Sequence, residues 1–141
     1  MFGNGKYKIQ PIHIQDFANL MLKHGQTTDN VEIDAIGPET FTYKELAKAV
    51  GKAIGVKTRC LGVPAIIGLI GAWITGKFVG DVVVTREEIK GLMDGLLYAD
   101  SPAQSEIILT EWAKENANIL GVKYHSELAR RKNRKSEYIE C

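Results

Sequence analysis

The sequence predicts a single domain of the mixed α/β (α+β) class, with a small three-stranded sheet, packed helices and a helix-rich C-terminal half. Three observations support this class. The chain has 141 residues, of which 45% are hydrophobic and 25% charged, and these values are ordinary for one globular domain. Short period-two stretches are interspersed with longer stretches whose apolar residues recur every three to four positions. No repeat or low-complexity segment divides the chain, so one domain is expected over 1–141.

Three segments have the pattern of strands. Residues 7–12 follow the turn signal Gly3-Asn4-Gly5 and lead into an amphipathic helix that is expected to end at Gly25. Residues 31–36 alternate apolar with acidic positions, which is typical of a strand with one solvated face. Residues 57–63 form the third predicted strand.

Local start and stop signals predict the helices. Thr42 with Glu45, and Thr85 with Glu88, have the spacing of capping boxes, in which each residue supplies an acceptor to the other's backbone N–H. The first of these helices is expected to stop at Gly55, because glycine readily adopts the backbone conformation that ends a helix.

The second half of the chain contains three further predicted helical segments. Pro64 opens an uncharged helix over 65–75 that is expected to be buried on most sides, followed by a loop over 76–80. Thr110 is expected to cap a helix that ends at Gly121. A last helix is predicted from Tyr124 to about Arg134, ending in a basic cluster that we interpret as solvated.

Composition excludes several classes of protein. Lys and Arg number 18 against 17 Asp and Glu, so no general attraction to nucleic acid is expected. Cys60 and Cys141 cannot form a disulfide framework and indicate a reducing, cytoplasmic compartment. The longest uncharged run, 61–76, is shorter than the roughly 20 apolar residues of a spanning helix, so no transmembrane segment is predicted. No Cys/His spacing predicts a metal site.

The chain lacks the motifs of nucleotide chemistry. No glycine-rich G-x-G-x-x-G or G-x-x-x-x-G-K-[ST] loop occurs. No tyrosine has a lysine four positions later, which would lower the phenol pKa for proton transfer. The sequence therefore predicts neither a cofactor site nor a catalytic residue.

Four short motifs occur in a fixed order. A glycine turn precedes the stretch 12–18, which reads hydrophobic-His-hydrophobic-x-Asp-hydrophobic-Ala. Gly37-Pro38-Glu39 then precedes the capped helix, Gly80-Asp81 follows, and residues 126–130 close the series. Their order and spacing resemble the C-terminal, substrate-side lobe of extended or atypical short-chain dehydrogenases/reductases. The most similar branch is the NAD(P)-dependent epimerase/dehydratase or NmrA-like one, which includes the NADPH-binding accessory subunit of respiratory complex I.

The resemblance implies a lobe that packs over the nicotinamide end of a Rossmann domain, whose core this chain lacks. Its implied function is substrate binding in an NAD(P)-dependent protein that is epimerase-like or reductase-like, with no catalysis by the isolated chain. The implied partners are a Rossmann-domain chain or a second copy, and a small-molecule substrate. The alternative is a stand-alone module that binds an apolar ligand or a partner chain.

Four residues are candidates for substrate contact, namely Gln10, His13, Asp16 and Arg86. An imidazole can donate or accept a hydrogen bond near neutral pH, so His13 could orient a substrate together with Asp16. The alternative is that His13 is structural and that Asp16 caps the first helix.

One departure from the family pattern bears on the ligand. Ile9 stands where sugar-nucleotide epimerases place an arginine that holds the pyrophosphate. Together with the apolar helix after Pro64, this position favours an apolar or acyl-like ligand, unless Arg59 or Arg86 replaces the missing guanidinium.

Overall fold

A computed structural model of the chain describes residues 1–124 and 126–133. These residues form a mixed fold of helices and a small sheet, which confirms the predicted class. In chain order the elements are β1 (Lys8–Ile9), α1 (Ile14–Gly25), β2 (Phe41–Thr42), α2 (Tyr43–Ala53), α3 (Ala65–Val79), α4 (Arg86–Met93), α5 (Leu109–Glu115) and α6 (Glu127–Lys132).

The described residues contain a two-stranded sheet, so the prediction of three strands is wrong. β1 and β2 are antiparallel, with Lys8 opposite Thr42. The segment 31–36 is not a strand. Its alternating apolar residues Val31 and Ile33 are both exposed, whereas an alternating strand is stabilised when its apolar face packs on the core. In 57–63 the pairing is limited to one parallel bridge between Val63 and Phe2.

Both predicted capping boxes are confirmed. In α2 the Thr42 hydroxyl accepts from the Glu45 N–H at 3.2 Å, and the Glu45 carboxylate accepts from the Thr42 N–H at 2.8 Å. Thr85 and Glu88 repeat this arrangement at α4. α2 packs against β2 and α5. The locally specified start of α2 therefore also sets where these neighbouring elements can pack.

α3 differs from its prediction in length and in burial. It begins at Ala65 after Pro64 as expected, but it continues to Val79, so most of the predicted 76–80 loop is helical. The expected burial is wrong, since Ile66 is 74% and Phe78 is 87% exposed. The physical reason is that the other described segments approach only one side of the helix, so the apolar side chains on its remaining surface stay in solvent.

Two helix ends in the last third also differ. α5 has Ile108 as its N-cap and ends at Glu115, so the predictions of a Thr110 cap and an end at Gly121 are wrong. α6 occupies part of the predicted last helix. Arg134, Lys135 and Cys141 lie outside the described residues.

The hydrophobic core of the described residues is small. Ile36, Ile89 and Ala113 are its buried hydrophobic residues. Over the same residues, no helix combines the length and the hydropathy needed to cross a membrane.

Candidate functional site

The sequence motifs of the first forty residues hold a distant loop in place. We call residues 97–110 the latch segment, because side chains and backbone from the N-terminal part bind it at several points. Gln10 donates its backbone N–H to the Leu97 carbonyl at 3.0 Å and accepts the Ala99 N–H at its Oε1, also at 3.0 Å. The Ile36 carbonyl accepts from the Gln104 N–H.

Asp16 forms the densest of these connections. Its Oδ2 accepts from the Ser105 hydroxyl at 2.6 Å and from the backbone N–H groups of Glu106 and Ile107 at 3.0 and 2.9 Å. These donors, Ser105 first, hold the pKa of the Asp16 carboxyl below its ordinary value. The residue that the sequence interpretation placed at a helix cap therefore binds the latch segment instead.

His13 is the N-cap of α1. Its Nδ1 accepts from the Gln15 N–H at 3.2 Å, and its ring lies 5.5 Å from the ring of Trp112 in a tilted arrangement. The imidazole thus stabilises a helix start and contacts α5. Among the interpretations left open by the sequence, the structural one accounts for these contacts, and a helix cap is indeed present, although at His13.

Glu39, in the Gly-Pro-Glu motif, serves α5 in the same way. Its carboxylate accepts from the Thr110 N–H at 2.9 Å and from the Thr110 hydroxyl at 2.7 Å. α5 has no side-chain cap from Ile108, so a carboxylate from a remote segment satisfies a donor at its first turn. No local pattern could indicate this contact, because the two residues are 71 positions apart.

The groove that Gln10 lines includes none of the other candidates for substrate contact, His13, Asp16 and Arg86, in its described lining. Gln10 and Ile9 line an open groove of about 490 Å³ between β1 and residues 96–99. Arg86 is exposed in the first turn of α4, and Arg59 lines a different groove of about 460 Å³. The described lining of the Ile9 groove includes neither arginine, so neither one replaces the missing guanidinium there.

A further groove lies along α3, and we call it the α3 groove. It has a volume of about 650 Å³ and is bounded by α3, by residues 80–84 and by Leu128 of α6. Trp73 lines it while remaining 64% exposed. The sequence indicated an apolar surface here, but not the segment that forms the opposite wall.

Asp81 joins that opposite wall to the end of the described chain. Its carboxylate accepts from the Tyr124 hydroxyl at 2.8 Å and from the N–H groups of Val82 and Leu128 at 2.8 and 3.2 Å. The hydrogen bond from Tyr124 lowers the pKa of Asp81, and the same bond raises the pKa of Tyr124. Asp81 is thus an ionised residue that positions α6 against the groove.

Metal ligation finds no support in the part of the chain that the structure describes, where no group of three His, Cys, Asp or Glu side chains could hold an ion. The chain matches no family model, no curated protein and no solved structure. The resemblance to the short-chain dehydrogenase/reductase lobe therefore depends on the motifs themselves.

Proposed function

We propose that this chain is a substrate-side lobe of an NAD(P)-dependent, epimerase-like or reductase-like protein, and that it is not catalytic on its own. In this proposal it binds a dinucleotide-binding Rossmann domain, supplied by another segment or another chain, and shapes the substrate pocket. The order and spacing of the four motifs support the family, and the surface of α3 supports the docking.

The observation that carries the proposal is the outer face of α3. We define this face as Ile66, Ile67, Ile70, Ile74 and Phe78, which recur at helical spacing and are all exposed. Contiguous exposed apolar patches of this kind mark interaction surfaces. A domain that buries few side chains completely and presents a whole apolar helix gains stability when a partner covers that helix.

The connections of the latch segment fit the same role. The His13, Asp16 and Glu39 side chains stabilise a shaped surface rather than presenting a reactive group to solvent. Gln10, at a groove, and Arg86, exposed on α4, are the two candidates that we propose as reachable by a substrate held between the lobe and its partner.

The second candidate function is a stand-alone module for an apolar ligand, and the α3 groove favours it. The two functions predict different DNA next to this reading frame, because only the lobe needs a Rossmann domain encoded nearby. The DNA flanking the reading frame tests them: a frame encoding a strand, a G-x-G-x-x-G turn and a helix supports the lobe, and flanking DNA without one favours the module.

A second test measures self-association of the isolated chain, because an uncovered docking face should bind a second copy. We expect a concentration-dependent dimer or larger species by sedimentation velocity, weakened at least about tenfold when charge is placed on the outer face by Ile74→Glu with Phe78→Glu. Leu22→Glu is the matched control, since Leu22 is also an exposed apolar residue but lies on α1. A chain that stays monomeric at all concentrations contradicts docking through α3.

A further inference from the structure

Among the residues that the structure describes, the α3 groove has an apolar floor and one accessible cation. Its uncharged lining is formed by aliphatic and aromatic side chains with small residues between them, namely Leu69, Ile70, Ala72, Trp73, Gly76, Gly80, Val82, Val83, Val84 and Leu128. The charged residues of the described lining are Lys77 and Asp81. A long apolar channel with few polar groups is typical of sites that bind apolar ligands and orient them by one polar end.

The two charged residues are not equivalent. Asp81 accepts hydrogen bonds from Tyr124, Val82 and Leu128, so its charge is already compensated by donors of the protein. The Lys77 ammonium lies 5.6 Å from the centroid of the Trp73 ring. A ring face attracts a cation weakly at an exposed site, so Lys77 can still pair with an anion that enters the groove.

We propose that the α3 groove binds a single-chain acyl carboxylate, with its head at Lys77 and its hydrocarbon chain directed along α3 towards Leu69. The inference rests on the second candidate function, a module for an apolar ligand, and names the ligand class of its groove. Apart from Ile70, the described lining contains none of the residues that define the outer face of α3.

Charge and length define the ligand class. The single ammonium of the described lining matches one negative charge. The ionised Asp81 on the opposite wall repels a second, which disfavours phosphate monoester heads. From Lys77 to Leu69 the helix rises about 12 Å at roughly 1.5 Å per residue. An extended chain with C–C bonds of about 1.5 Å therefore places roughly nine or ten carbons between these two residues, and dodecanoate, which is slightly longer, spans the groove and is the probe.

Calorimetric titration of the whole chain with dodecanoate below its micellar concentration tests the proposal. We expect saturable binding with one site per chain. Hexanoate should bind much more weakly, because the apolar contribution grows with each buried methylene. Dodecyltrimethylammonium has the same chain and the opposite charge, and it should bind at least about tenfold more weakly than dodecanoate.

Variants connect binding to the groove. Lys77→Gln should weaken dodecanoate binding about tenfold, and Ile70→Asp should abolish it by placing an anion on the wall, at a side chain exposed enough to tolerate the change. Lys48→Gln is the matched control, an exposed lysine on α2. Circular dichroism verifies that each variant is folded. Ile67→Glu places charge on the outer face about 15 Å along the helix from Lys77, at a residue outside the described lining of the groove. This variant should keep its affinity for dodecanoate, which separates this proposal from docking through the outer face.

Three results would overturn the proposal. One is that dodecanoate fails to bind, and another is equal affinity in the parent and Lys77→Gln chains. The third is cosedimentation with phosphatidylcholine vesicles without binding of monomeric dodecanoate, because the occupant of the groove would then be a bilayer surface.

Discussion

At the scale of single residues, Asp16 shows how one carboxylate can organise a loop nearly ninety positions away. A single oxygen accepts one hydroxyl and two backbone donors of residues 105–107. Hydrogen bonds to a charged acceptor are stronger than neutral ones, and they form only while the carboxyl is ionised. The stability that Asp16 contributes is therefore linked to pH.

The sign of this linkage follows from the lowered pKa of Asp16. The contribution is fully present above the ordinary value of 3.8 and is lost as the pH falls from there through the lower folded-state value. We expect Asp16→Asn to destabilise the chain at neutral pH and to flatten the acid limb of its stability curve. Urea unfolding at several pH values measures this.

Asp29→Asn is the control for the Asp16 experiment, since it removes a carboxylate from an exposed position of the chain. If both variants have the same acid limb, the hydrogen bonds of Asp16 do not contribute to stability as argued.

Two glycines are expected to respond in opposite directions to substitution by alanine. A Cβ added at Gly37 would overlap the Pro11 carbonyl oxygen, whereas one added at Gly71, within α3, would meet nothing within 4 Å. We expect Gly37→Ala to destabilise the chain by roughly 1–3 kcal/mol through overpacking, and Gly71→Ala to stabilise it by about 0.5–1 kcal/mol. Thermal unfolding at low protein concentration measures both. A tolerated Gly37→Ala would contradict the close approach of the two loops.

At the scale of elements, the helices divide according to how they are started. α2 and α4 begin at capping boxes formed within four residues, whereas the first turn of α5 depends on Glu39 from another part of the chain. The cap contacts that begin α2 and α4 are consequently local in sequence, whereas the cap contact that begins α5 depends on the tertiary structure.

The capping box of α2 can be tested against a threonine that caps nothing. Thr42→Ala removes an acceptor from the Glu45 N–H, and we expect a loss of about 1 kcal/mol in the free energy of unfolding. Thr75→Ala removes a hydroxyl that donates to the Gly71 carbonyl within α3, and its effect should stay within about 0.5 kcal/mol. Chemical denaturation compares the two, and equal losses would contradict the importance of the cap.

At the scale of the whole molecule, a small core coexists with extensive apolar surface. Few hydrophobic residues of the described part of the chain are buried, while α3 exposes aliphatic and aromatic side chains along its length. Such a chain is expected to gain stability from whatever covers that surface, by the linkage between binding and folding. Both proposals above rest on this imbalance.

We expect the isolated chain to show no saturable binding of NADH or NADPH, because it has no glycine-rich strand-to-helix turn and no acidic residue following one to bind the ribose. Calorimetric titration measures this, with dodecanoate as the positive probe in the same preparation. Micromolar affinity for either dinucleotide would contradict the proposed division of roles between lobe and partner.

Only part of the candidate site could be predicted from the sequence. The motifs containing His13, Asp16 and Glu39 were evident as patterns, but a pattern does not name the partner of each side chain. The period-two alternation of 31–36 failed as a predictor because it records which residues alternate, and a strand also needs a neighbour to pair with. The apolar composition of α3 predicted burial, and this prediction was wrong for a related reason, since hydropathy does not indicate whether another segment covers the helix.

The sequence by itself determined the mixed class and the start of α2, α3 and α4 to within about two residues, because capping and helical periodicity act over three or four positions. Only the tertiary structure decided that Asp16 binds the latch segment and that the α3 groove has Asp81 on its far wall. The contact between Asp16 and Ser105 joins residues 89 positions apart. Such contacts are set by the balance of chain entropy against hydrogen bonding and packing in the whole fold, and no local pattern encodes that balance.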